Sequence, residues 1–87
     1  MSVSFGQGSI TVSVSGLEGG AHLVHIHRDC TGDPARHVTT LGVLLVDASG
    51  SGSRVFALAA SLTGRGLFVL VYPLGASQGP PDVCASV

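Results

Sequence analysis

The chain has no tryptophan, one tyrosine, one methionine and few charges: Asp, Glu, Lys and Arg make up 10% of 87 residues, and the net charge is −1 with histidines neutral. A balance this thin offers no basic face for nucleic acid or for an anionic membrane surface. No apolar run reaches the ~18–20 residues that a bilayer-spanning helix needs. Met1-Ser2-Val3-Ser4-Phe5 has neither a basic start nor an apolar stretch behind it, so no signal peptide is visible in this chain. The compartment stays open.

In place of charge the chain carries 45% hydrophobic residues and 13 glycines. One small domain over residues 1–87 is expected, burying about 60–68% of its unfolded surface. Valine, serine, threonine and glycine in short blocks favour strands and turns over a helical bundle. Ser9-Ile10-Thr11-Val12-Ser13-Val14-Ser15 alternates polar and apolar throughout, which predicts a strand with Ile10, Val12 and Val14 facing inward. Gly16 to Gly20 reads as a turn, with Ala21–Arg28 pairing back as its hairpin partner. Further strands are expected over 37–46, around 55–58, over 67–72 and over 83–87, with a loose hairpin turn at 47–53. Regular short strands of this kind predict an all-β antiparallel sandwich or barrel.

Two cysteines, Cys30 and Cys84, flank separate β segments. The preferred reading is a disulfide closing most of the chain, since small β domains often need a staple. Such a bond would also fit a mature extracytoplasmic domain. The rival reading makes Cys30 a thiolate ligand beside His27.

Three of the four histidines fall in one run, His22-Leu23-Val24-His25-Ile26-His27. Side chains alternate along a strand, so His25 and His27 share a face with Cβ atoms about 6–7 Å apart. Two imidazoles so placed can lean onto one ion; the bland alternative leaves them as solvent-facing strand residues. His22 shares its face with Val24 and Ile26, so it reads as a hydrogen-bonded core histidine. His37 is either a third ligand or a loop histidine. Asp29, Asp33 and Asp47 read as turn and cap residues, Asp29 having the parity to orient the His27 ring as well. Arg65, in a glycine turn, is expected to bond backbone carbonyls.

The segment Val12–His27, with its Gly16-Leu17 turn, His22 and His25-Ile26-His27 followed by Cys30, resembles the strand–turn–strand leading into the copper ligands of the copper–zinc superoxide dismutase family. Arg36-His37-Val38-Thr39-Thr40-Leu41-Gly42 is similar to the segment closing that family's metal loop. Asp47-Ala48-Ser49-Gly50, Leu62–Val69 and Val83-Cys84-Ala85-Ser86-Val87 resemble, in order, a family turn, the entry to the strand of the last copper histidine, and the strand bearing the disulfide partner. The resemblance implies a Greek-key sandwich, with His25 and His27 as the first two copper ligands and His22 as the structural histidine. It also implies His37 as a zinc ligand and Cys30–Cys84 as the intrasubunit disulfide.

The family's first strand has little room before Ser9, and the chain departs from the family at four further places. Thr40 stands where the zinc aspartate is expected, Leu70 where the last copper histidine falls, and Pro81 where the substrate-guiding arginine falls. The loop that holds the bridging histidine is almost entirely missing between Cys30 and His37. Half the copper ligands are gone, so a degenerate copper-binding module is expected, with dismutation weak or lost and zinc the lesser candidate metal. The alternatives are a minimal copper-only dismutase and a metal-free structural or interaction domain. The apolar run Leu67–Tyr72, if uncovered, would offer a homodimer or partner surface.

Overall fold

Alternation along the strands fixes which faces meet. The computed structural model describes residues 1–6, 8–59, 62 and 66–86; the turn expected at Thr63–Gly66 and the role expected of Arg65 lie largely or wholly outside them. The strands are β1 (Ser2–Gly6), β2 (Ser9–Val14), β3 (Gly20–His27), β4 (His37–Val46), β5 (Gly52–Ala57), β6 (Phe68–Val71) and β7 (Val83–Ser86). A 3-10 turn, Pro34–Arg36, precedes β4. The protein is all-β, with one three-stranded sheet ordered β1-β2-β5 and one four-stranded sheet ordered β4-β3-β6-β7. Every pairing is antiparallel. The Cα radius of gyration, 11.8 Å, matches the about 12 Å of a compact chain of this length.

The core lies between the sheets. Ile10, Val12 and Val14 of β2 and Phe56 of β5 pack with Val24 and Ile26 of β3, Leu44 and Val46 of β4, and Val69 and Val71 of β6. These are the inward positions of each alternation, and most are fully buried. Burying a valine or isoleucine side chain of this kind stabilises the fold by about 1.5–3 kcal/mol.

Three expectations are corrected. A strand does precede Ser9: β1 pairs with β2 from Ser2↔Ser13 to Gly6↔Ser9. Neither short turn makes a hairpin. β2 pairs with β1 and β5, whereas β3 pairs with β4 and β6, so the 15–19 and 47–51 turns both cross from sheet to sheet. The reason is that β2 and β3 each carry one apolar face, and these meet face to face across the core rather than edge to edge. Lastly, Leu67 and Val69–Tyr72 are buried, so this run offers no exposed apolar face for a homodimer. The most exposed large hydrophobics lie instead on β4 and β5, Leu45 at 71% and Val55 at 61%.

The outer face of the four-stranded sheet is closed by segments 28–36 and 73–82. Cys30 and Cys84 form a disulfide, with Cα atoms 5.9 Å apart, which removes the thiolate-ligand reading of Cys30. Gly79 N–H donates to the Gly32 carbonyl at 3.0 Å. Gly32 adopts φ +78°, and a Cβ there would run into the Gly79 backbone, so only glycine lets the two segments meet. The aspartates behave as turn residues. Asp33 caps the 3-10 turn through Ala35 N, Asp29 accepts from Thr31 N and Oγ1, and Asp47 accepts from Ser49 and Ser51.

Candidate functional site

Two register shifts in the β3–β4 ladder assemble the site. Val24 faces Gly42, but His25 faces Thr40 and His27 faces His37, so Leu41 and Val38 have no partner across the ladder. Bulges of this kind re-aim side chains and recur beside functional sites. On the other side of β3, His25 stands opposite Leu70 of β6. The result is a cavity of about 290 Å³ lined by His25, His27, Pro34, His37, Thr40 and Ser77.

His25 and His27 do share a face, and both are buried, at 7% and 1% exposure. Their rings stack at 16° with centroids 5.4 Å apart. His25 Nδ1 lies 3.3 Å from His27 Nε2. Two nitrogens each about 2.0–2.1 Å from one ion are this far apart when the angle at the ion is about 105–110°, close to tetrahedral. The pair therefore fits the bite of a single metal ion. His27 Nδ1 is buried without a hydrogen-bond partner. The His27 imidazole is thus unpinned on the side where a ligating histidine usually donates to a carboxylate or carbonyl.

Both rings are shifted toward the neutral form. Burial first, then the nearby His37 and His27 imidazoles, brings His25 down to about 4. Burial and His37 likewise lower His27, against a smaller upward pull from Asp29 and Asp33. A neutral imidazole presents a lone pair, the form that binds metal. Asp29 does not orient His27. Its carboxylate is taken up by Thr31 and by Arg36, whose Nε lies 3.6 Å from Oδ2.

His37 is brought alongside, with its ring centroid 4.6 Å from that of His25 and 5.4 Å from that of His27. Its ring stands edge-on to both, and its Nε2 lies 3.0 Å from Thr40 Oγ1. Among the described residues, no group of three or more His, Cys, Asp or Glu side chains is arranged to hold one metal ion. His37 thus neighbours the pair without completing a three-ligand group. His22, on the opposite face of β3, is fully buried, with its two ring nitrogens 2.6 Å from the carbonyl oxygens of Tyr72 and Glu18. Its Nδ1 is 3.7 Å from Asp82 Oδ2.

Tyr72 is the site residue that sequence reasoning passed over. It ends an apolar run and reads as core, yet it follows Leu70 by two and so shares the His25 face. Its hydroxyl lies 3.3 Å from His27 Nε2. Among the described residues, no helix is long and apolar enough to cross a membrane. No protein-family model matches the chain, and neither do curated proteins or solved structures.

Proposed function

We propose that this chain is a copper-binding module on a superoxide dismutase-like Greek-key sandwich, with His25 and His27 as its ligand pair. The observation that carries the reading is the 3.3 Å separation of His25 Nδ1 and His27 Nε2, two buried nitrogens set at the bite of one ion. The antiparallel two-sheet architecture, its repeated sheet-to-sheet crossings and the Cys30–Cys84 disulfide are consistent with the scaffold. Copper is preferred to zinc because divalent copper binds nitrogen donors most strongly in the first-row series.

His25 would hold the ion through Nδ1 and His27 through Nε2. Copper supplies a one-electron couple when bound. The protein contributes two imidazoles shifted toward the neutral form by burial and a pocket whose walls are fixed by the disulfide-tied segment 28–36. Dismutation is expected to be weak or lost, because Leu70 and Pro81 stand at the positions of the last copper histidine and the guiding arginine.

The test is a copper(II) titration against a competing chelator, read by electron paramagnetic resonance. Stoichiometric binding with a nitrogen-ligand signature, lost in the His25→Ala/His27→Ala double variant while its β-sheet circular dichroism persists, supports the reading. Unchanged copper affinity in that variant overturns it.

A further inference from the structure

We propose that Tyr72 supplies the third donor of this site, through its phenolic oxygen, so that the copper set is His25 Nδ1, His27 Nε2 and Tyr72 Oη. The proposal rests on the copper-binding reading above and assigns a ligand that it leaves open. His27 Nε2 is the shared vertex, 3.3 Å from His25 Nδ1 and 3.3 Å from the Tyr72 hydroxyl. The Tyr72 ring is fully buried, with its centroid 5.0 Å from that of His25 and 6.1 Å from that of His27.

The three atoms do not satisfy one another. A neutral imidazole Nε2 carries either one N–H or one lone pair. It can donate to His25 Nδ1 or accept from the phenol, but not both. Both contacts are longer than the usual 2.7–3.2 Å of a protein hydrogen bond. Whichever tautomer His27 adopts, its one Nε2 proton or lone pair serves only one of these two neighbours, whereas a cation held between them would take a lone pair from each donor.

The backbone holds the phenol where it is. Tyr72 N–H donates to the Leu23 carbonyl at 2.9 Å, and the Tyr72 carbonyl lies 2.6 Å from His22 Nδ1. Both clamps come from β3, the strand that carries the histidine pair, so phenol and imidazoles share one rigid frame. His37, the competing third ligand, is exposed and has its Nε2 against Thr40.

Burial pushes the phenol up from its usual range, so Tyr72 is protonated in the metal-free protein. Binding forms the oxygen–copper bond as the O–H bond breaks, and the proton passes to water; no electron changes hands. An anionic oxygen beside two imidazoles favours copper(II) over copper(I), which suits retention of the ion better than rapid cycling.

Tyr72 is the only tyrosine and there is no tryptophan, so its optical signals are unmixed. The experiment is copper(II) titration of the wild-type chain, Tyr72→Phe and His37→Ala, each followed by visible absorption, tyrosine fluorescence and chelator competition. We expect a phenolate-to-copper(II) charge-transfer band in the wild type and in His37→Ala, saturating at one copper with loss of tyrosine emission. The band is absent from Tyr72→Phe, whose copper affinity falls at least about tenfold. Wild-type protein that binds copper tightly with no charge-transfer band, or a band that survives in Tyr72→Phe, overturns the assignment and leaves the histidine pair standing. Failure of the wild type to bind copper at all overturns the copper-binding reading itself. Because the wild-type spectrum alone can refute the assignment, the test does not depend on Tyr72→Phe folding.

Discussion

His25 stands directly opposite Leu70 across the β3–β6 ladder, so both side chains project onto the loop-covered face of the four-stranded sheet. Directly opposed residues in an antiparallel pair hold their Cβ atoms about 4.5–5.5 Å apart. A histidine at position 70 would therefore reach the ion that His25 and His27 are proposed to hold. Leu70→His is expected to raise copper(II) affinity about tenfold or more. Because Leu70 is fully buried, the metal-free variant should lose roughly 1–3 kcal/mol of stability. Chelator competition and urea unfolding measure the two effects separately. A variant that folds but binds copper no tighter would show that the β3 pair and position 70 do not address one ion.

The disulfide ties the cavity-lining segment 28–36 to β7 across 54 residues of sequence. In the chain-entropy model a closed loop of that length contributes about 4 kcal/mol. The Cys30→Ser/Cys84→Ser variant is expected to lose about that much, with a Tm lower on the order of 15–30 °C. Calorimetry decides it. A drop of only a few degrees would mean that the Gly32–Gly79 contact and the β6–β7 ladder hold the segment without the bond.

The pH dependence of the metal-free protein follows from His25. Its folded value, about 4, lies below the ordinary 6.5. Between those values the unfolded chain binds more protons than the folded one, so stability rises with pH across the window. The His25 contribution is fully present above about pH 6.5 and is lost as the pH falls toward 4, by at most about 3 kcal/mol. His27 is shifted in the same direction and adds to the loss. Asp29 and Asp47, held below the usual carboxylate range mainly by hydroxyl and backbone donors, act only at lower pH. Urea midpoints at pH 7.5 and 5.0 should differ for the wild type and differ less for His25→Gln. Equal wild-type midpoints would exclude a buried neutral His25.

Much of this fold is legible in the residues. The polar–apolar alternation of Ser9–Val14 and the shared parity of His22, Val24 and Ile26 fixed the inner face, and 37–46 is the strand expected. Pairing was not legible, because parity specifies which side chains share a face and leaves open whether two apolar faces meet edge to edge or across a core. That is why β2 and β3 read as a hairpin and proved to be opposed. The strand Ser2–Gly6 was passed over because the family pattern, laid onto the sequence, left it no room. The placing of His37 was half legible. The residues leave it as either a third ligand or a loop histidine, and the register shifts that set it opposite His27 have no sequence signature beyond Gly42, whose φ of +144° accommodates the first of them. Tyr72 was hidden by its company, being the one polar tip at the end of an apolar run.

His22 tests whether the site's frame can be loosened from behind. It touches neither proposed imidazole ligand, yet its ring nitrogens join the Glu18 carbonyl, at the sheet-to-sheet turn, to the Tyr72 carbonyl. Phenylalanine there would fill the space and leave both carbonyls without this partner, at about 1–3 kcal/mol for each buried group. His22→Phe is therefore expected to lose about 2–6 kcal/mol in urea unfolding. If the clamp on Tyr72 matters, its copper charge-transfer band should also weaken or shift. Val24→Ala removes core volume from the same face of β3 and serves as the control, with a comparable stability loss expected and no spectral change. Equal spectra for the two variants would reduce His22 to a core hydrogen-bonding residue, whereas a change confined to His22→Phe would make it the positioning residue of the phenol.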